Sequence, residues 1–403
     1  MQIVRTHHQF LFSVSLFLGL LFSCKKKTEY LSVPVTVPAF RSSFDYNRLT
    51  PSLSYDSLFL DANGLKTVDL TEGNARLMMF ENLDTYMKTV VGSDNKTKLD
   101  YQILLNYFYN SGSVFKDKKL DQSAIQIRNT TAVSRGDAPI IRADIEKWLL
   151  ALSVTSDSVN TVASSNKAGR VYAKNGTGYL LDSNGIELGE IVQKVLFGAF
   201  QYDYIGNVLM SNSKLNADNH NLVSSKNYTE LEHNWDQAFA TLTRDIYKVY
   251  ARTASDGSSG TEKFMGNYLR RFGNSLYGND YLKIHPAFLR GRAAIVNNDL
   301  NELKTQASII KFIMEKVMAR AVIYYLDNWK KNIASDPAVA LHGLSEGIGL
   351  IYSLRFCKVH GVDDAFSDSL LNDLVYSKPN GVWDLTPAEA TTAINKIKSK
   401  FSL

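Results

Sequence analysis

Past Leu65 the apolar residues of this chain recur at the spacing of a helix and almost never at that of a strand. Ala75, Leu77, Met78, Leu83, Tyr86 and Met87 share one stripe, and Leu104, Leu105, Tyr107 and Phe108 another. Ile141, Ile145, Trp148, Leu149 and Leu152 make a third. A helix brings positions three and four apart to one face, whereas a strand brings alternate positions together. The pattern therefore predicts an all-α protein, with further helices near 185–205, 227–252, 261–272, 285–298, 300–332, 337–356, 364–376 and 386–399. Asn184, Asp299 and the pair Thr386-Pro387 stand where helix starts need a cap or a first-turn proline. The expected architecture is one large helical bundle domain or two tightly packed bundles, without an internal repeat at solenoid spacing.

Two segments interrupt this pattern. Residues 153–169 are rich in Ser, Thr and Asn and are the expected internal joint of the 61–403 helical domain. Val171 to Leu181 is punctuated by glycine and is expected to form a hairpin around Asn175-Gly176.

The beginning of the chain carries an address. Arg5 and two histidines precede the apolar run Phe10 to Phe22, and Ser23 stands before Cys24. A bilayer span needs about 20 apolar residues, so the run is too short to cross. Residues 1–23 are expected to be a lipoprotein signal peptide, with Cys24 the acylated first residue of the mature chain. Residues 24–60 then form a lipidated tether and extended segment, because the prolines in Val33-Pro34-Val35-Thr36-Val37-Pro38 exclude a helix. The expected location is the cell envelope, lipid-anchored at the outer membrane, on either its periplasmic or its external face.

Charge argues against a nucleic-acid partner. Without residues 1–23, which carry one arginine and no acid, 44 basic and 40 acidic residues remain. A nucleic-acid face would need clustered Lys and Arg. Lys25-Lys26-Lys27 follows Cys24 directly, placed for anionic headgroups or for a solvated tether. Lipidation of Cys24 would leave Cys357 without a partner, and its apolar surroundings make it a small core residue.

Three polar constellations are candidates for chemistry. His342 and Glu346 are four apart within Ala340–Gly349, so on a helix their side chains meet. Imidazole and carboxylate together suit iron, zinc or another borderline metal, and equally a buried hydrogen bond that fixes packing. Gly343, Gly347 and Gly349 in the same helix point to a close contact or to a ligand against the backbone. The second is Glu187, Glu190, Gln193 and Lys194, either a solvated face or a helix entering the core with Glu187 as an interior ligand. In the third, His233 and Asp236 are three apart, positioned for a metal, for pairing with each other or for capping the helix start. Hydrolase, nucleotide-binding and Cys-x-x-Cys signatures are missing, so no catalytic residue and no enzyme activity is expected.

Four pieces together resemble the uncharacterised Bacteroidetes lipoprotein family called domain of unknown function 4856. They are Gly73-Asn74-Ala75-Arg76-Leu77; Gly185-Ile186-Glu187 with Lys194 and Gly198-Ala199; Glu232-His233-Asn234-Trp235-Asp236; and His342 through Gly349 leading to Tyr352-Ser353-Leu354-Arg355. That family is loosely similar to imelysin-like proteins, helical-bundle envelope proteins tied to iron uptake, and its members tend to be encoded beside them. The resemblance implies an accessory to uptake that binds iron, another divalent metal or a metal-bearing ligand. Its implied partner is an imelysin-like lipoprotein or a TonB-dependent transporter. The imelysin pattern is Gly-x-His-x-x-Glu; here His342-x-x-x-Glu346 departs from it, with Ala340 two before the histidine. A transporter-associated nutrient-capture or protein-interaction lipoprotein without metal is the rival expectation, and a metal-dependent hydrolase the last.

Overall fold

The computed structural model describes residues 41–92, 94–243 and 262–403. The expected signal peptide and residues 24–40 of the expected tether, Cys24 included, lie outside these residues, as does the part of the expected 227–252 helix beyond Thr243.

The fold is mostly helical. In chain order the longer elements are α1 (Thr71–Met87), α2 (Tyr101–Tyr109), α3 (Ala138–Ser156), β1 (Gly169–Tyr172), β2 (Gly178–Leu181) and α4 (Leu188–Leu196). They continue with α5 (Glu230–Leu242), α6 (Phe264–Phe272), α7 (Tyr281–Val296), α8 (Leu300–Asn332), α9 (Pro337–Ser353), α10 (Asp364–Leu371) and α11 (Pro387–Phe401). One continuous hydrophobic core runs through them, from Tyr55 to Phe401, and Cys357 is buried in it.

Capping chemistry sets several of the boundaries. The Asp299 carboxylate accepts from Glu302 N at 3.0 Å and starts α8. With 33 residues, α8 is about 50 Å long at 1.5 Å per residue and forms the spine of the bundle. It packs against α7, α9 and α11. Thr386 and Glu389 form a reciprocal capping box at α11, with Pro387 in its first turn. Thr229 and Glu232 do the same for α5.

Asn184 is not a cap. The Asp182 carboxylate accepts from Asn184 N and Ile186 N at 2.9 Å each, which holds a turn through 182–186 and delays the helix to Leu188. The expected hairpin forms: β1 and β2 pair antiparallel, Gly169 opposite Leu181, with Gly176 at φ +85° in the turn. The expected joint begins inside α3, which runs through Ser156 before the loop to β1.

Beyond Leu196 the α4 helix widens into a π-helical segment, Phe197–Leu209. Ser353 is the cause. Its hydroxyl donates to Lys194 O at 2.6 Å and accepts from Gly198 N at 3.1 Å. These two backbone groups are an α-helical donor–acceptor pair, so the serine is inserted in the hydrogen-bond ladder where the helix changes type. A Cβ on Gly198 would lie 2.5 Å from Ser353 Cβ, so only glycine admits the serine.

Candidate functional site

The N-terminus of α4 faces the middle of α9. Glu187 is at the N-cap position of α4; its backbone N–H donates to the Ser345 hydroxyl at 2.9 Å. That bond aims the Glu187 carboxylate at α9, where His342 Nδ1 lies 2.7 Å from it. The other ring nitrogen, Nε2, is 3.3 Å from Glu346 one turn along α9. The imidazole thus stands between two carboxylates, and the Tyr179 ring from β2 stacks on its face at 4.4 Å.

Lys194 continues the network. Its ammonium lies 2.8 Å from Glu190 and 3.1 Å from Glu346, with the Gln193 side-chain oxygen also bonded. Glu190 is approached by Lys88 at 3.5 Å, and Lys88 pairs with Asp84 at 3.3 Å. Tyr268 from α6 donates to Glu346 at 2.5 Å, and the Tyr268 and Tyr325 hydroxyls are 2.5 Å apart. Glu187, Glu190, Lys194 and Glu346 are all buried. Buried charges persist only when paired and hydrogen-bonded, and each of these has at least one charged partner.

The shared field shifts every group. Burial alone would lower the His342 pKa, but the Glu187 and Glu346 carboxylates carry it up to about 11. Burial raises Glu187, with His342 only partly offsetting it. Glu346 is held well below the usual carboxylate range against its burial by Lys194, His342 and Tyr268. Glu190 is lowered against burial by Lys194 and Lys88, and the same acids raise Lys194. The surrounding acids thus hold the imidazolium of His342 and the ammonium of Lys194 in their charged forms.

Donor atoms of Glu187, Glu190 and His342 all lie within 4.8 Å of one another. One imidazole nitrogen with two carboxylate oxygens is a donor set for borderline divalent metals. His342 keeps 26 % of its side-chain exposure, whereas Glu187 and Glu190 are buried.

His233 and Asp236, though one turn apart, join neither each other nor this cluster. Asp236 accepts from Tyr55 at 2.7 Å and from Arg292 Nε at 3.0 Å. Beside it Glu232 bridges Arg41 and Arg292. His233 stacks on Tyr228 at 4.9 Å, and its Nδ1 is buried without a hydrogen-bond partner among the described residues. Asp236 thus pairs with the fully buried Arg292, apart from the His342 cluster.

The glycines of α9 divide. Gly349 packs on α4: a Cβ there would meet Lys194 Cβ at 2.7 Å and Ile191 O at 3.0 Å. Gly347 faces Tyr325 Cβ at 3.2 Å, and Gly343 has only ordinary contact at 3.5 Å. Glu190 and Lys194 belong to the second sequence constellation and enter the core with their helix, whereas nothing in the sequence placed Tyr179 and Tyr268 beside it. The one signal was the apolar run Ile191, Val192, Val195 and Leu196 between the polar residues, which marks a buried helix.

The described chain is thus a helical protein built around a buried imidazole–carboxylate–lysine cluster. The family model for a domain of unknown function, DUF4856, matches residues 56–403, and the chain belongs to that family. No curated protein and no solved structure matches it.

Proposed function

We propose that this protein is a lipid-anchored cell-envelope protein that binds a divalent metal ion, iron foremost, or a metal-bearing ligand, as an accessory to uptake. The observation that carries the metal reading is the convergence of Glu187, Glu190 and His342 donors within 4.8 Å. A structural hydrogen bond needs one acceptor for the imidazole; here α4 and α9 bring two carboxylates and a nitrogen to one point. Lys88 and Lys194 satisfy Glu190, and His342 satisfies Glu187, without the ion, so metal entry exchanges the His342 proton for a dication in the same negative field. The lipoprotein part rests on the sequence around Cys24. An imelysin-like lipoprotein or a TonB-dependent transporter is the partner this reading expects.

The test is anaerobic titration of chelator-stripped protein with ferrous iron, followed by analysis of bound metal. Wild type should hold about one ion per chain and Glu187→Gln/His342→Ala none; equal retention by both removes the assignment. For the anchor, Cys24→Ala should abolish incorporation of labelled palmitate in cells, and unchanged labelling would refute the lipidation site.

A further inference from the structure

Beside the cluster, on the far side of Lys194 and Glu346, lies a polar cavity of about 430 Å³. That is within the range of roughly 300–1,000 Å³ typical of small-molecule sites. Its acids are already engaged by protein donors. Asp84 takes Lys88 and the Gln193 amide, Glu346 takes Lys194 and Tyr268, and Glu262 takes the Thr243 hydroxyl at 2.6 Å. Its outer cations are not matched in this way. Arg271 bonds the Tyr325 hydroxyl at 3.2 Å and lies over the Tyr324 ring at 4.8 Å. Among the described residues no carboxylate pairs with Arg271, and the closest to Lys263 is Glu81 at 3.9 Å.

We propose that this cavity binds a small oxyanion-bearing molecule, a polycarboxylate or a phosphate, whose anionic group docks on Arg271 and Lys263. A guanidinium without a carboxylate, at the rim of a polar cavity, presents the donor fork that carboxylate and phosphate oxygens fit. Tyr325, Tyr268 and Phe264 also line the cavity, the two phenols bonded to each other, to Glu346 and to Arg271. The class follows from the cations at the rim: an anion meets Arg271, which pairs with no carboxylate among the described residues, and Lys263, whose ion pair with Glu81 is long at 3.9 Å. The inference stands on the cavity and does not require a metal at His342.

Isothermal titration of the full-length protein with citrate, with inorganic phosphate and with glycerol as the neutral control tests it. At least one of the two anions should bind saturably and glycerol should not. Arg271→Ala/Lys263→Ala should bind that anion about tenfold or more weakly, the loss expected for charge-assisted hydrogen bonds. Preference between citrate and phosphate identifies which oxyanion the site takes. Failure of both anions to bind wild type at millimolar concentration, or equal binding by the double variant with an unchanged melting curve, overturns the proposal. Ferrous-iron retention, measured separately, decides the metal reading, so either can fail alone.

Discussion

His342 Nδ1 lies 2.7 Å from a carboxylate oxygen of Glu187, across 155 residues of chain. The contact joins the N-cap residue of one buried helix to the middle of another, and around it gather a second acid one turn away, a lysine and two phenols. Glu187 owes its aim to Ser345, whose hydroxyl accepts the Glu187 backbone N–H. Orientation by one hydrogen bond is what separates a positioned ligand from a surface acid.

Metal affinity should rise with pH. His342 holds its proton up to about 11, and a metal must displace it. Apparent affinity for ferrous iron is therefore expected to rise about tenfold per pH unit across the neutral range. Competition titrations at three pH values check this; a flat profile would show that the imidazole is not a ligand.

The same group predicts a slope in metal-free stability. The His342 pKa is raised from 6.5 to about 11 on folding, so its contribution is complete below pH 6.5 and is lost as pH rises towards 11. Denaturant unfolding of wild type should weaken over that window. His342→Asn should flatten the curve, and parallel curves for the two proteins would contradict the raised pKa.

Arg292 is expected to be the most costly charge to remove. It is buried between Glu232 and Asp236, and Arg292→Met leaves two acids short of a partner, a loss of about 3–5 kcal/mol. Burial opposes ionisation of Glu232, yet Arg292 and Arg41 hold its carboxyl at about 2. Its stabilisation is thus full above pH 4.5 and is lost as pH falls towards 2. Glu232→Gln should shift acid unfolding less steeply over that range, as read by circular dichroism.

The α9 glycines should respond in opposite senses to alanine. Gly349→Ala forces the Lys194 stem and the α4 backbone apart and should cost about 1–3 kcal/mol. Gly343→Ala meets only ordinary contact and should gain up to about 1 kcal/mol from helix propensity. Equal melting temperatures for the two variants would refute the packing account.

Ser353→Ala should destabilise by about 1–3 kcal/mol, since Gly198 N and Lys194 O lose the hydroxyl that bridges them. Because Lys194 carries the ammonium between Glu190 and Glu346, the variant should also alter metal affinity, which titration would register. Unchanged stability would mean that the ladder closes without the serine.

Two of the family pieces, the one around Glu187 to Ala199 and the one from His342 to Arg355, become neighbours in space. Gly73 of α1 lies against Ala240 and Gln237 of α5; Gly198 lies against Ser353; Gly349 lies against Lys194; and Glu187 bonds His342. Close helix approach accounts for the three glycines.

Local chemistry was readable from the order of residues alone. The helical class, the α8 and α11 caps, the Asn175-Gly176 hairpin and the core position of Cys357 each depend on a few adjacent positions or on one periodicity. Partner choice among charges was not. His233 and Asp236 share the spacing logic of His342 and Glu346, yet a buried Arg292 from α7 claims Asp236, while α4 delivers Glu187 and Glu190 to His342. Spacing along a helix says which side chains can meet on that helix; only packing decides which distant charge is buried against them, because desolvation makes each buried ion take whatever partner the fold supplies.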